Sequence, residues 1–414
     1  MTDKTFFKQT IKSVPIENKT VLLRADYNVP LKEDGQIADD FRVRSSLPTI
    51  QYLLDRGCKV VIISHLGRPD GKPDPKASLR VVGSRLSELL GQKVTFVDDC
   101  IGDNVSMTVK KANSGSVILL ENLRFYPEEE EDDSEFARKL ATSSKAQYFV
   151  QDGFGVVHRA HASTDAITQY VPSVAGLLLE KEYVTITEAM AHPKKPLVAI
   201  LGGAKVSDKL PLIKAIIPIA EQILIGGAMA NTFLAAKGVA LGKSKYEADK
   251  LSEIEAIYKE AAEKVGQDHV DDFLALPKDL AVGASLDNTA KRKNVTLGDV
   301  ADDEYALDIG DETIEDFVSK LHPAKTVIWN GTLGYAELPE FAHGSARVAL
   351  ELATNTEVTS IIGGGDTADF ALHWDSKSGG SFTHVSTGGG ASLELMSGEK
   401  LPGVESLLDA SSQS

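Results

Sequence analysis

Pro196-Leu-Val-Ala-Ile-Leu-Gly-Gly-Ala-Lys-Val-Ser-Asp-Lys209 carries the reading of the fold. Five apolar residues, Leu197 to Leu201, run without a polar interruption into paired glycines, and two lysines follow four apart. A strand with one wet face alternates apolar and polar residues, whereas a short unbroken apolar run reads as a strand buried on both faces, as in parallel sheets covered by helices. The stretch is not a P-loop, because no G-x-x-x-x-G-K-[ST] string occurs in the chain.

Similar runs recur. In the first half they are Val21–Leu23, Val60–Ile63, Val117–Leu120 and Tyr148–Val150; in the second they are Leu197–Leu201, Gln222–Ile225, Thr326–Trp329, Thr359–Ile362 and Phe382–Val385. Each ends in glycine or polar residues before a stretch of helical composition, the pattern of an α/β protein. The expected architecture is two doubly wound, parallel-sheet, Rossmann-like domains joined by a helical hinge. Domain boundaries are expected at 1–172 and 196–392, with a connector over 173–195, where Val171-Pro172-Ser173 and His192-Pro-Lys-Lys-Pro196 bracket a helix over Leu177–Ala191. Residues 286–304 read as surface loop with some strand, and the acidic run Glu128–Asp133 as a solvated face or helix start without a function.

The 414 residues carry 60 Asp and Glu against 44 Lys and Arg, a formal net charge of −16. Such a field repels polyanions and argues against a nucleic-acid or anionic-membrane surface. Any phosphate site must therefore be built locally. Only Cys58 and Cys100 occur, without metal-ligand spacing, which suits reduced thiols in the cytoplasm. The chain's first residues lack a secretory h-region, and no apolar run approaches the roughly 20 residues of a membrane span.

In parallel α/β sheets ligands gather at the carboxyl ends of strands, so the residues after each run are the informative ones. After the first-half runs come Arg24-Ala-Asp26-Tyr27-Asn28, Ser64-His65-Leu66-Gly67-Arg68, Glu121-Asn-Leu-Arg124 and Gln151-Asp-Gly153, the last leading to His158-Arg159-Ala-His161. After the second-half runs come Gly202-Gly203-Ala204, Gly226-Gly227, Asn330-Gly331, Gly363-Gly364-Gly365-Asp366-Thr367 and Gly388-Gly389-Gly390. Converging guanidinium and imidazole groups make a basket for a small, multiply anionic molecule. Glycines at helix starts let backbone N–H groups approach a polyphosphate closely. His158 and His161 have no further ligand at metal spacing, and no metal is expected on them.

Gly363-Gly-Gly-Asp-Thr-Ala368 also satisfies a relaxed dinucleotide fingerprint, but the next run ends without the acid that would hold a ribose. A carboxylate at Asp366 beside phosphate oxygens makes sense with a cation between them, Mg²⁺ being the one usually held by one or two carboxylates plus substrate phosphates. A plain helix N-cap is the other reading of Asp366. Lys205 and Lys209 are expected one helical turn apart on one face of a helix start, where they could neutralise two successive phosphoryl groups.

Taken together, Arg24-Ala-Asp-Tyr-Asn-Val-Pro30, Ser64-His-Leu-Gly-Arg-Pro69, Leu120-Glu-Asn-Leu-Arg124, His158-Arg-Ala-His161, the 201–209 stretch, Trp329-Asn-Gly331, Gly363–Ala368 and Ser386-Thr-Gly-Gly-Gly-Ala-Ser392 closely resemble the phosphoglycerate kinase family, in family order over nearly the whole chain. The resemblance implies a hinge-bending enzyme of two domains that moves a phosphoryl group between 1,3-bisphosphoglycerate and MgADP, giving 3-phosphoglycerate and MgATP. It implies phosphoglycerate binding by Asp26, Tyr27, Asn28, Arg42, His65, Leu66, Gly67, Arg68, Arg124 and Arg159. Gly203, Ala204, Lys209, Gly227, Asn330, Glu337, Gly363, Gly364, Gly365, Asp366 and Thr367 would hold the nucleotide, with Asp366 on the metal. Gly388, Gly389 and Gly390 would lie near the transferring phosphate, and Arg42 and Lys205 would be catalytic. Residues 393–414 would return to the N-terminal domain. A monomer without nucleic-acid or membrane partners is expected, and a non-catalytic anion-binding relative of the same fold is the alternative. Thr332, Ala336 and Asp311 depart from the family pattern beside the expected nucleoside pocket, and Gln151-Asp-Gly153 replaces a common Asn-Asp-Ala.

Overall fold

The computed structural model describes residues 6–410. The first sheet consists of β1 (Thr20–Arg24), β2 (Lys59–Ile63), β3 (Val94–Val97), β4 (Val117–Leu120), β5 (Tyr148–Gln151) and β6 (Ser173–Ala175). All are parallel, in the order β3-β4-β2-β1-β5-β6. Alternate residues of β1 enter different cores: Val21 and Leu23 pack with the cluster containing Val43, Ile50 and Leu86, and Leu22 with the one containing Leu120, Leu140 and Phe149. Burial on both faces is why these strands are apolar throughout. The outer strands β3 and β6 escaped the sequence reading because they form the two edges of the sheet, where fewer positions need to be apolar.

The second sheet draws on β7 (Leu197–Leu201), β8 (Gln222–Ile225), β9 (Leu274–Ala275), β13 (Thr326–Asn330), β14 (Thr359–Gly363) and β15 (His384–Val385), parallel in the order β15-β14-β13-β7-β8-β9. Between β9 and β13 the chain adds an antiparallel sheet, β10 (Asp279–Gly283), β11 (Lys293–Thr296) and β12 (Tyr305–Ile309), in the order β11-β10-β12. It has a small core of its own around Leu280, Val282, Val295 and Leu234.

The chain divides into two compact units, one running to Val184 and resuming at Lys400, the other spanning Thr185–Glu399. The division falls within the helix Leu177–Ala191. In the first unit the chain end is sewn back in: Lys8 Nζ donates to the carbonyls of Glu405 and Leu407 at 2.7 and 3.0 Å, and Gly403 N donates to Val157 O at 2.9 Å. Asp152, at the end of β5, accepts from the Leu178 and Leu179 amides at 2.9 and 3.4 Å, satisfying donors that the first turn of that helix leaves open. No helix among the described residues is long and apolar enough to cross a membrane.

Candidate active site

Parallel strands bring the segments after β1, β2, β4 and β5 to one end of the first sheet. Asp26 accepts from Arg42 Nη1 at 2.7 Å, an ion pair linking the β1 loop to the helix Phe41–Leu54. Arg42 and then His65 hold the Asp26 carboxyl down at about 2 against the opposing effect of burial. Asn28 Oδ1 accepts from Gly67 N at 2.9 Å. Asn122, fully buried, donates to Leu66 O at 2.7 Å and Ala77 O at 2.8 Å and accepts from the Leu66 and Arg124 amides at 3.3 and 3.0 Å. It therefore fixes the loop that carries His65 to Arg68. Arg124 Nη1 donates to Gly67 O at 2.8 Å, and its Nη2 lies 3.2 Å from Glu130.

The cations outweigh their local partners. Arg124 holds its proton less firmly than usual, first through burial, and Arg159 and Arg68 push in the same direction against Glu130. His158 is lowered to about 4 and His161 to about 3, burial leading in both; Arg159 adds to the effect on His158, and Arg24, Arg124 and Arg159 to that on His161. His65 is driven well below its ordinary value by burial, Asp26 opposing and three arginines assisting. Such a cluster leaves Arg68 and Arg159 exposed on the surface with guanidinium charge available to an anion.

Two residues behind this cluster had no role in the sequence reading. Arg24 is 1% exposed, donates to Ser163 Oγ at 2.8 Å and lies 3.2 Å from His65 Nδ1. Glu129, also 1% exposed, accepts from Ser163 Oγ and N at 2.5 and 3.0 Å and lies 3.9 Å from Arg24. Burial raises its carboxyl to about 7, with Arg24 and Ser163 opposing. The acidic run is thus not wholly a solvated face: Glu129 is internal, while Asp133 caps the helix Ser134–Ser144 by accepting from Phe136 N at 2.7 Å. Tyr27, expected at the phosphoglycerate, has a fully buried ring whose hydroxyl lies 2.9 Å from Ser46 Oγ, so its side chain belongs to the core.

In the second unit a cleft of about 490 Å³ opens at the carboxyl ends of β7, β13 and β14. Gly203, Ala204, Lys205, Lys209, Asp366 and Gly389 are among its lining residues. Gly331, at φ 103°, abuts Gly202 so closely that a Cβ would sit 2.1 Å from the Gly202 carbonyl oxygen. Only glycine allows the two strand ends to approach in this way. Gly365 begins the helix Gly365–Trp374 with Asp366 in its first turn, and Gly389, at φ 46°, precedes the helix Gly390–Met396. Gly364 also faces the cleft, whereas Gly363 and Gly388 are buried behind it. Thr367 Oγ1 accepts from Gly331 N at 2.6 Å, and Lys209 Nζ donates to the buried Asn330 Oδ1. Burial lowers the Lys209 ammonium, with Asp208 and Asp366 opposing.

The lysines do not share a helical turn as expected. The helix starts only at Leu210, with Pro211 in its first turn; Lys209 caps it and Lys205 lies in the preceding irregular segment. Both nonetheless line the cleft. Gly227 begins the helix Gly227–Ala236 and lines a separate small void with Asn231, Leu307 and Leu333. Glu337 is exposed in the segment after β13 and is not among the residues lining the cleft. The departures have local partners: Asp311 lies 3.1 Å from Arg292, and Thr332 Oγ1 donates to Gly334 O at 3.0 Å.

Comparison with known proteins adds to this geometry. The family model described as phosphoglycerate kinase matches residues 11–399. A phosphoglycerate kinase of Dictyoglomus turgidum is 47% identical over 401 residues, 96% of this chain and 98% of the relative. One from Moorella thermoacetica is 45% identical over 402 residues, 97% of this chain and 99% of the relative. The solved phosphoglycerate kinase of Coxiella burnetii superposes with a TM-score of 0.81 at 35% identity, covering 96% of this chain and 98% of that one. The enzyme from Pyrococcus horikoshii OT3 gives 0.79 at 32%, with the same coverage.

Proposed function

Because the chain belongs to the phosphoglycerate kinase family, whose members are phosphotransferases, we propose that its two strand-end sites divide the reaction between them. The reaction moves a phosphoryl group between 1,3-bisphosphoglycerate and ADP. The cationic end of the first sheet binds the phosphoglycerate through Arg42, Arg68, Arg124, Arg159 and His65, and the glycine-lined cleft of the second binds the nucleotide phosphates. The observation that carries this reading is the segregation of side-chain cations to one unit and backbone donors with two lysines to the other.

The residues also suit Mg²⁺. Asp366 and Asp208 both line the cleft. One or two carboxylates plus phosphate oxygens is the donor set typical of nucleotide-bound Mg²⁺. Asp366 would hold the ion, which would neutralise phosphate charge.

In the direction of ATP consumption the acceptor is a carboxylate, already ionised, and no protein group needs to remove a proton. Catalysis then rests on alignment and on charge: negative charge spreads over the equatorial oxygens of the moving group, where Lys205 and Arg42 meet it. Lys209, held by Asn330, stays with the nucleotide phosphates. Since the two sites belong to different units, transfer requires them to close on each other, which also keeps water from the acyl phosphate. We infer a cytoplasmic monomer, consistent with the strong net negative charge and two free, buried cysteines. A coupled assay of ADP formation from ATP and 3-phosphoglycerate tests the whole reading. Turnover dependent on Mg²⁺ and on both substrates is expected; binding of both without turnover would indicate a non-catalytic relative.

A further inference from the structure

The segment carrying Lys205 and Lys209 is irregular, with Val206 buried between the two lysines. It leaves β7 through Gly202 and Gly203, the latter at φ 93°, and the seven-residue helix that follows has no side-chain N-cap. Within the segment, the Lys209 and Leu210 amides both donate to Val206 O, at 2.8 and 3.1 Å, which makes a turn but does not anchor it. Lys209 Nζ reaches Asn330 and Gly203 N donates to Thr332 O at 2.9 Å, but the middle of the segment is tied by Glu247. Its Oε2 accepts from Ser207 N at 3.0 Å and its Oε1 from Ser207 Oγ at 2.6 Å, a two-point contact on the residue midway between the lysines.

Glu247 is itself fixed. Its amide donates to Oγ1 of Thr232 at 3.1 Å, and Thr232 is buried on the helix Gly227–Ala236. Two turns of chain around it are sewn to the same unit: Asn231 Nδ2 donates to Lys245 O at 3.1 Å, and Lys243 N to Glu304 O at 2.8 Å. The carboxylate also feels Lys205. Burial, which would raise it, is outweighed by the Ser207 bonds, the Val206 amide and the Lys205 charge, so it stays ionised more readily than usual. Nothing in the sequence marks this residue, which lies 40 positions from Ser207 in a polar loop.

We propose that Glu247 is a positioning residue for phosphoryl transfer, holding the Val206–Lys209 turn so that Lys205 and Lys209 face the nucleotide cleft together. The inference rests on the roles given to the two lysines above. Glu247 touches no substrate in this scheme and acts through Ser207. A lysine on a loose turn would visit the productive position only part of the time, and rate falls with that occupancy.

The test is a double-mutant cycle on the full-length enzyme, read by steady-state kinetics. Glu247→Ala is expected to lower kcat about tenfold or more while the KM for 3-phosphoglycerate changes less than about twofold. Glu247→Gln, which can still accept from Ser207 N, recovers most of that loss. In a Lys205→Ala background, Glu247→Ala costs much less than it does alone, because the lysine it positions is gone. Additive losses in the cycle, or a Glu247→Ala enzyme with parental kcat, would overturn the proposal while leaving the lysine roles intact. A Lys205→Ala enzyme with parental kcat would instead overturn the site reading beneath it. Thermal melting of each variant separates misfolding from misplacement, since Glu247→Ala and Ser207→Ala should melt near the parent and still fall in kcat.

Discussion

The carboxyl ends of the two parallel sheets solve anion binding by different physical means. In the first unit the donors are side chains, and several are braced: Arg42 by the buried Asp26, Arg124 by the Gly67 carbonyl, and the His65 to Arg68 loop by the buried Asn122. In the second the cleft is lined largely by glycines and helix starts, with two lysines at its edge. The first arrangement fixes planar cations at set positions and suits one small molecule of definite shape. The second lets the main chain approach a flexible polyphosphate and leaves the charge to two lysines. What differs is where the rigidity resides: in a hydrogen-bonded layer behind the cations in one unit, in close-packed backbone in the other.

Substitutions at the two walls probe that difference. The largest effect is expected where charge meets the moving group. Lys205→Ala and Arg42→Ala should each lower kcat on the order of 10²-fold or more with modest change in KM, the pattern of a contact that strengthens in the transition state. Steady-state kinetics with raised KM and intact kcat would assign both to ground-state binding instead.

The bracing layer comes next. Asn122→Ala removes four hydrogen bonds from a fully buried site. It should cost about 2–4 kcal/mol in urea unfolding and raise the KM for 3-phosphoglycerate with little effect on that for ATP. Equal effects on both KM values would deny that the layer serves only one wall.

The last effect, on stability alone, concerns Asp152. Burial holds its carboxyl up at about 7, against an ordinary value of 3.8, with Thr49 and the Leu178 and Leu179 amides opposing, and its Oδ2 has no partner. In the unfolded chain this proton leaves near the ordinary value, so between about 4 and 7 the folded state binds more proton and loses stability as pH rises. Asp152→Asn keeps an acceptor for the helix amides without this titration. Its stability should therefore gain on the parent as pH rises from about 4 to 7, measured by chemical denaturation at several pH values; a constant offset would contradict the raised carboxyl.

Much of this was legible in the chain. Buried parallel strands such as β1, β2, β7 and β13 announce themselves because both faces must be apolar, and the helix Leu177–Ala191 is marked by prolines on either side. Arg68, Asp366 and the glycine clusters stand directly after such strands, where the sheet's own geometry makes a site. Other features left weaker traces. Glu129 reads as one more residue of a charged run, yet Ser163 and Arg24 reach it from 34 and more than 100 positions away. The lysine spacing of four reads as helical, but paired glycines and Pro211 delay the helix until Leu210.

By itself, then, the order of residues determined which segments become strands, which strand ends carry cations and which carry glycines, because those properties follow from local periodicity and residue chemistry. Only the tertiary structure decided which carboxylates are internal, which tyrosine belongs to the core, and what steadies the turn after β7. Those outcomes depend on desolvation and on hydrogen bonds between residues far apart in the chain, and neither quantity exists until the chain has folded.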